Sequence, residues 1–572
     1  MSRKNALYFG DNLTTLREHV RDESVDLIYL DPPFNSNASY NVLFAEKTGE
    51  QSAAQITAFE DTWHWGIESE EAYHEVVTGG GRLADVVSAL RQFLGQNDMM
   101  AYLVMMAVRL KELHRVLKAE GSLYLHCDPT ASHYLKVMMD AIFAPGLFRN
   151  EICWKRSSAH SDTKQGMKRC GKVHDVLLFY TKSNRYTWNS IYTPYTKEYL
   201  ESEYRHQTSD GRYYKETDVT AAKPGGDTSY EWRVKRPLRP GAKWEADVDN
   251  EHENPRPGWE YDGVYPYQSR YWAYSKENLI EFAASGHLIH RKTGMPRLVQ
   301  FADEMPGVPL QDLWDDIPPE SGLRDLGYPT QKPEALLERI IRTSSNEGDL
   351  VLDPFCGCGT AIAASERLDR RWMGIDVTHL AITLIRHRLT NAFQDDLKPY
   401  EVIGDPQDVP SARALALENR FQFEYWALGL VDARPAEDRK RGADRGVDGS
   451  VYFFDDNSGR PKRLVVQVKS GKVASSQVRD LAGTMKREDA KIALFLTLER
   501  PTREMVREAA AAGFYEPEYF PGTKYPRLQI LTIQEVLDGK VARYPRMAPA
   551  DTFRRAKRHK KAPSANRTLM LF

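Results

Sequence analysis

The sequence predicts an α/β protein, with a large parallel sheet that is interrupted by an inserted region and a smaller α/β domain at the C-terminal end. Two motifs predict the large sheet, because each follows an apolar run typical of a buried parallel strand. Asp31-Pro32-Pro33-Phe34 follows residues 25–30, and Asp353-Pro354-Phe355-Cys356-Gly357-Cys358-Gly359-Thr360 follows residues 349–352. A strand at residues 464–469, with polar groups two apart, indicates the second domain.

The length and the hydrophobic content of the chain are sufficient for more than one hydrophobic core. The chain has 572 residues, of which 41% are hydrophobic, and its net charge is −2 with a pI of about 6.8. This balance gives no global attraction to nucleic acid, so any positive surface must be local. The five cysteines have no disulfide spacing, and no apolar run is long enough for a membrane span, so a cytoplasmic protein without membrane contact is expected.

The downstream motif predicts a cofactor site. A glycine-rich turn between a strand and a helix lets a small molecule approach the backbone closely. Asp353, Phe355, Gly357 and Gly359 are the candidates in this turn. The next predicted strand ends at Asp376, where nucleotide-type folds place an acid that binds ribose hydroxyls.

The upstream motif predicts a pocket for a flat base that carries an amino group. The lone pair of such a group is delocalised into the ring, so the group is a poor nucleophile. The Asp31 carboxylate and the Pro32 carbonyl can accept its protons and free the lone pair, while Pro33 stiffens the turn and Phe34 stacks on the base. A competing chemistry for a base is methylation at a ring carbon, as in cytosine. That reaction requires a thiolate nucleophile, typically in a Pro-Cys dipeptide, and the chain contains no Pro-Cys dipeptide.

Together these motifs resemble the amino-group DNA methyltransferases of the permuted β class, which use S-adenosylmethionine, from Met1 to about Ala392. The resemblance implies that Asp11 approaches the adenine ring of the cofactor and that Thr330 and Lys332 pack against its methionine end. Asp353 would accept from the ammonium group, and Asp376 from the ribose. An Asp at the start of the catalytic motif is more typical of adenine targets, and the amino group of cytosine is the alternative.

The same resemblance divides the first part of the chain. Residues 1–180 would form the catalytic part and residues 321–403 the cofactor-binding part, with a Rossmann-like sheet shared between them. Residues 181–320, rich in Tyr, Trp, Gly and Pro, would form the target-recognition region that contacts double-stranded DNA.

Residues 411–545 carry a second set of candidates. Asp448 lies near a turn, and Gln467 and Lys469 project to one face of the strand that follows. This pattern resembles the PD-(D/E)xK nucleases, specifically the Mrr-like restriction branch, although Gln467 stands where many members have Asp or Glu. The resemblance implies Mg²⁺ held by Asp448 and Gln467, with Glu424 as a further acid, and Lys469 beside the hydrolytic water. The alternative is a domain with the nuclease fold that has no catalytic activity and only binds DNA.

Residues 546–572 form a basic tail suited to nonspecific phosphate contact. The sequence as a whole predicts a DNA adenine methyltransferase fused to a Mg²⁺-dependent endonuclease, in restriction-modification or anti-phage defence. Expected partners are double-stranded DNA and other subunits of a defence system, and a homodimer is left open. A methyltransferase whose C-terminal domain only binds DNA or senses modification is the rival interpretation.

Overall fold

The structure is a computed structural model. It describes residues 4–33, 39–43, 55–60, 64–157, 168, 170–208, 210–223, 225, 228–320, 331–436, 446–455, 461–517 and 522–545. Phe34, Thr330 and the basic tail at 546–572 lie outside these residues. The described residues fall into two compact units, one with residues up to Asn189 and from Gln311 onward, and one with Ser190–Leu310.

The strands, in chain order, are β1 (Asn5–Phe9), β2 (Val25–Leu30), β3 (Ser39–Leu43), β4 (Gln55–Glu60), β5 (Leu117–Cys127), β6 (Phe148–Lys155), β7 (His174–Thr181), β8 (Tyr192–Thr193), β9 (His206–Gln207), β10 (Tyr213–Asp218), β11 (Thr220–Ala221), β12 (Trp232–Pro237), β13 (Glu245–Ala246), β14 (Trp259–Val264), β15 (Tyr271–Trp272), β16 (Leu288–His290), β17 (Pro296–Phe301), β18 (Val308–Pro309), β19 (Leu313–Trp314), β20 (Leu350–Asp353), β21 (Arg371–Asp376), β22 (Tyr400–Ile403), β23 (Arg434–Pro435), β24 (Gly449–Phe453), β25 (Lys462–Lys469), β26 (Ile492–Thr497), β27 (Phe514–Tyr515), β28 (Tyr525–Pro526) and β29 (Leu528–Thr532).

The α-helices are α1 (Asn12–His19), α2 (Ile67–Thr78), α3 (Gly81–Leu94), α4 (Asp98–Val116), α5 (Ser132–Phe143), α6 (Lys197–Glu203), α7 (Lys276–Ala284), α8 (Glu334–Ser344), α9 (Thr360–Arg367), α10 (His379–Phe393), α11 (Val409–Glu418), α12 (Arg420–Leu430), α13 (Ser475–Arg487), α14 (Arg503–Ala511) and α15 (Ile533–Leu537).

The first unit contains a nine-stranded sheet in the order β19-β6-β7-β5-β2-β20-β21-β1-β22. Its central strands are parallel, and β7 runs antiparallel to both β5 and β6. The strand that carries the first predicted motif, β2, pairs with β20, which carries the second. Because parallel neighbours end at the same edge of a sheet, this pairing brings the two motifs together.

Helix α4 is the clearest example of a helix fixed by its sequence. Asn97 caps its first turn by accepting from the backbone N–H of Met100 at 2.9 Å, and apolar residues from Met100 to Val116 bury most of its surface. The sequence predicts core packing here, and Met100, Leu103, Val104 and Leu110 are fully buried.

The second unit has several small sheets. A four-stranded sheet has the order β16-β17-β10-β9, a three-stranded sheet has the order β13-β12-β14, and two pairs are β11-β15 and β18-β8. Its own core includes Trp232, Trp244, Trp272 and Leu279. The aromatic residues that mark this region in the sequence are therefore partly core residues.

The C-terminal domain of the first unit has a five-stranded sheet in the order β23-β24-β25-β26-β29. Its two faces belong to different apolar clusters, one with Val466 and Val468 against α12, and one with Val465 against α13. Helix α12 also meets α10, where the backbone N–H of His379 donates to Gln422 Oε1 at 3.1 Å. In the part of the chain that is described, no helix is long and apolar enough to cross a membrane.

Candidate functional site

A cavity of about 810 Å³ opens at the carboxyl ends of β1, β2, β20 and β21. This volume is typical of sites for small organic molecules. Its lining includes nine of the predicted site residues: Asp11, Asp31, Pro32, Pro33, Lys332, Asp353, Phe355, Gly357 and Asp376. The two motifs, more than 300 positions apart in the sequence, therefore share one cavity.

Asp31 lies at the first position after β2 and forms an ion pair with Lys332. Both side chains are mostly buried, with 15% and 11% of their surfaces exposed. The Lys332 ammonium group therefore lies directly against the Asp31 carboxylate at the cavity. Asp31 is thus held as an acceptor at the cavity wall.

The glycine turn between β20 and α9 is tied to the end of β21. The N–H of Gly357 donates to Asp376 Oδ2 at 2.9 Å, and the N–H of Cys356 donates to the carbonyl of Ile375 at 3.1 Å. Gly359 does not line the cavity. It has φ +75°, and a Cβ there would lie 2.7 Å from Ile385 Cγ1, so it allows α9 to begin close against α10.

Two buried carboxyl groups in the cavity have raised pKa values. Burial raises the pKa of Asp376 to about 6, although the N–H groups of Thr378 and Gly357 donate to it and oppose the shift. Burial, together with the charges of Asp31 and Asp376, raises the pKa of Asp353 well above its ordinary value. An ammonium group or ribose hydroxyls beside these carboxyls would relieve this cost, which fits S-adenosylmethionine.

Asp11 lines the cavity, caps a helix and contacts a buried arginine. It caps α1 by accepting from the backbone N–H of Thr14 at 3.0 Å, and its other oxygen accepts from Arg109 Nη2 at 2.7 Å. Asn12, the next residue, links Arg109 to the glycine turn, because its side-chain amide donates to the carbonyl of Pro354 at 2.8 Å.

Sequence reasoning missed Arg109 and Arg388. Arg109 lies on a helix that reads as core, and only the fold shows that it reaches Asp11 and Asn12. Arg388 of α10 donates to the carbonyl of Cys358 at 3.2 Å and to Thr360 Oγ1 at 3.0 Å. Both arginines are buried, and an arginine that is buried is expected to have polar partners. Their burial follows from the fold and could not be predicted from the sequence.

In the C-terminal domain, Asp448 and β25 come together at one edge. Gly449 pairs with Val466, and Asp448 Oδ2 accepts from the backbone N–H of Val468 at 2.7 Å. Gln467 lies between these two contacts and is 7% exposed, and its Oε1 atom has no hydrogen-bond partner among the described residues. Carboxylate and amide oxygens are ligands that Mg²⁺ accepts, so Asp448 and Gln467 fit a cation at this edge.

Lys469 and Glu424 differ in how they relate to that edge. Lys469 continues the face of β25 that carries Gln467, as the sequence predicts. Glu424 is buried on α12, whose Phe423 and Trp426 pack with Val466 and Val468 on the opposite face. No group of three or more His, Cys, Asp or Glu side chains is arranged to hold a metal within the described residues.

Comparison with known proteins follows this division of the chain. A family model described as a DNA methylase matches residues 25–386. The chain belongs to this DNA methylase family. The match contains Asp31, Lys332, Asp353 and Asp376, whereas Asp11 precedes it. A second model, described as a restriction endonuclease, matches residues 418–515 and contains Glu424, Asp448, Gln467 and Lys469.

Curated relatives of this DNA methylase come from restriction-modification systems. The chain is 27% identical over 387 residues to the type II methyltransferase M.EcaI of Enterobacter cloacae. The aligned residues cover 67% of this chain and 69% of that protein. It is 25% identical over 376 residues to the Mod subunit of the type III restriction-modification enzyme StyLTI of Salmonella typhimurium. That alignment covers 63% of this chain and 49% of the subunit. A solved structure, the PvuII DNA methyltransferase (cytosine-N4-specific), is 12% identical with a TM-score of 0.32, over 67% of this chain and 86% of that chain.

The predicted fold class and the predicted combination of domains are confirmed. The chain is a DNA methyltransferase of restriction-modification type, and it carries an Mrr-like endonuclease domain after the methyltransferase sheet.

Proposed function

We propose that this chain transfers a methyl group from S-adenosylmethionine to the exocyclic amino group of adenine in double-stranded DNA, and that its C-terminal domain cuts DNA with Mg²⁺. The observation that best supports the first part is the shared cavity, in which Asp31 and the glycine turn meet. The amino group of cytosine remains the alternative target.

The chain's own residues would divide the work as follows. Asp353, Phe355 and Gly357 would hold the amino-acid part of the cofactor, Asp376 its ribose, and Asp11 its adenine ring. Gly359 would keep the turn tight. The bound cofactor supplies an electrophilic methyl group on a sulfonium. Asp31 and the carbonyl of Pro32 would accept the N–H protons of the target, with Pro33 fixing the turn, so that the nitrogen lone pair becomes available.

Phe34 and Thr330 belong to the same proposal on sequence grounds alone. Phe34 would stack on the flipped base, and Thr330 would accompany Lys332 near the methionine end of the cofactor. The proposed domains are 1–180 and 321–403 for the methyltransferase, 181–320 for target recognition, 411–545 for the nuclease and 546–572 for the tail.

For the nuclease, the oxygens of Asp448 and Gln467 would bind Mg²⁺, and Lys469 would position the attacking water. Glu424 is the weakest of the proposed ligands, because α12 packs on the face of β25 opposite Gln467. The buried Oε1 of Gln467 supports a cation site most directly.

The deciding experiment gives the purified protein tritiated S-adenosylmethionine and unmethylated phage DNA, followed by digestion to nucleosides. Labelled N6-methyladenine that is lost in Asp31→Ala supports the proposal, and the surface variant Asp22→Asn is the matched control because its side chain is 73% exposed. Label on cytosine would overturn the adenine assignment. A parallel reaction with Mg²⁺ should show cutting that Asp448→Ala abolishes while methyl transfer persists.

A further inference from the structure

Three buried polar side chains form a hydrogen-bonded chain that starts at the cavity wall. Tyr29 lines the cavity, two positions before Asp31, and its hydroxyl lies 2.9 Å from His126 Nδ1. His126 Nε2 lies 3.3 Å from Asp175 Oδ2, and Arg156 Nε lies 3.3 Å from the other oxygen of Asp175. Tyr29 lies on β2, His126 on β5 and Asp175 on β7, and Arg156 directly follows β6, so the sheet brings them together.

The charges decide which atoms carry protons. Burial opposes the ionisation of Asp175, but the hydrogen bond and the charge of His126, followed by the charges of Lys332 and Arg156, outweigh it and lower the pKa of Asp175. An ionised Asp175 can only accept, so whenever the His126 ring carries a single proton, that proton lies on Nε2. His126 Nδ1 is then an acceptor, and the Tyr29 hydroxyl donates to it.

Tyr29 stays a neutral phenol in this arrangement. Burial, followed by the charges of Asp31, Asp353 and Asp175, raises the pKa of Tyr29 well above its ordinary value. Since its one proton is directed to His126, the lone pairs of the Tyr29 oxygen remain as acceptors. An acceptor of this kind, on β2 two positions before Asp31, is suited to a group that must lose a proton.

We propose that Tyr29 is a catalytic residue that takes the proton lost by the target amino group, with His126 and Asp175 as positioning residues behind it. The inference rests on the proposed amino methylation. As the nitrogen lone pair bonds to the methyl carbon, the electrons of the carbon–sulfur bond stay on sulfur, and the nitrogen gives one N–H proton to the Tyr29 oxygen. The Tyr29 proton passes to His126 Nδ1, and Asp175 stabilises the resulting imidazolium.

The return step completes the proton balance. The imidazolium of His126 gives its Nδ1 proton back to Tyr29, and Tyr29 releases a proton to water once the methylated base has left. No oxidant, metal or further reactant is required. Each residue ends in the state in which it began.

The test measures single-turnover methyl transfer in Tyr29→Phe, which removes only the hydroxyl. Tyr124→Phe is the matched control, because Tyr124 is also buried, lies on β5 two positions before His126, and bonds to Ser344 Oγ at 2.8 Å. We expect Tyr29→Phe to lower the rate about 100-fold, within the usual range for general base catalysis, with the KM for DNA and the affinity for S-adenosylmethionine changed less than about twofold. Tyr124→Phe should retain the wild-type rate within about threefold.

The positioning residues have a readout besides activity. In protein labelled with ¹⁵N-histidine, the ring signal that disappears in His126→Gln should report a proton on Nε2. In Asp175→Asn that proton should no longer be fixed there, and methyl transfer should fall about tenfold or more, since Nδ1 no longer only accepts.

The outcomes are distinguishable. Equal rates in Tyr29→Phe and Tyr124→Phe overturn the inference while the proposed function stands. Loss of cofactor binding in Tyr29→Phe also overturns it, because Tyr29 would then hold the cofactor. A wild-type protein that methylates no amino group overturns the proposed function and this inference together. A His126 proton found on Nδ1 excludes the assigned direction of the relay.

Discussion

Lys332 forms an ion pair with Asp31 across 301 positions of the sequence. Lys332 lies just before α8, and Asp31 lies just after β2, so the pair joins the two separated parts of the methyltransferase sheet at the cavity. The carboxylate proposed to accept from the target base is thus held by a residue from the far part of the chain.

Replacing Lys332 with Gln should therefore slow methyl transfer. The change removes the cation beside Asp31 and also a charge that opposes the raised pKa of Asp353. We expect the single-turnover rate to fall about 100-fold, the scale for loss of one preorganised electrostatic contact. Lys118→Gln is the control, because Lys118 pairs at 2.6 Å with Asp26 of β2, and neither residue lines the cavity. Equal rates in the two variants would contradict a role for the Lys332 ion pair.

The affinity for S-adenosylmethionine should depend on the ionisation of Asp376, whose pKa burial raises to about 6. The ionised carboxylate accepts from ribose hydroxyls, so titration calorimetry should show affinity falling about tenfold per pH unit below that value. Asp376→Asn should bind more weakly at pH 7.5 and lose most of the dependence between pH 5 and 7. An unchanged pH profile in that variant would rule out Asp376 as the titrating group.

The same pKa predicts the opposite trend for the stability of the protein without cofactor. A carboxyl whose pKa is higher in the folded state binds protons more strongly there than in the unfolded state. Its stabilising contribution is fully present below the unfolded pKa of about 4, and is lost as the pH rises through about 6. Thermal melts of Asp376→Asn between pH 4 and 8 should therefore lack a decline that the wild type shows.

Gly359→Ala should destabilise the methyltransferase sheet more than Gly348→Ala does. Both glycines have positive φ values, +75° and +82°, so alanine is strained at each. Only at Gly359 would the new Cβ meet a core side chain, 2.7 Å from Ile385 Cγ1, whereas nothing lies within 4 Å at Gly348. Strain alone costs about 1 kcal/mol, and overpacking adds about 1–3 kcal/mol. Chemical denaturation should show this difference, and equal losses would mean that the turn relaxes around the methyl group.

Gln467→Glu should strengthen the binding of Mg²⁺ by the nuclease domain. It places a second carboxylate beside Asp448, and the charge of the ligands tunes cation affinity. We expect the Mg²⁺ concentration for half-maximal cutting to fall about tenfold, while Gln467→Leu abolishes cutting and leaves methyl transfer intact. Gln534→Glu adds the same charge at an exposed site of α15 and should change neither activity. Unchanged Mg²⁺ dependence in Gln467→Glu would exclude Gln467 as a ligand.

Much of the fold could be predicted from local patterns. The strand before Asp31 and the helix after Asn97 follow from apolar runs, breakers and caps, which act over a few residues. The strand before the second motif differs slightly from its predicted bounds of residues 349–352. It ends one residue later, because Asp353 is the last residue of β20. Strand ends are set by pairing with neighbours, here Gly374 of β21, which a single segment does not specify.

The candidate site divides in the same way. The sequence by itself determined the chemical groups, since Asp31, the glycine turn and Asp376 carry recognisable chemistry at fixed spacing. Only the tertiary structure decided their partners, because Lys332 on Asp31, Arg109 on Asp11 and the Tyr29–His126–Asp175 chain all depend on long-range packing. Side chains far apart in the sequence meet only when the sheet order is set, and burial in that sheet then raises the pKa values of Asp353 and Asp376.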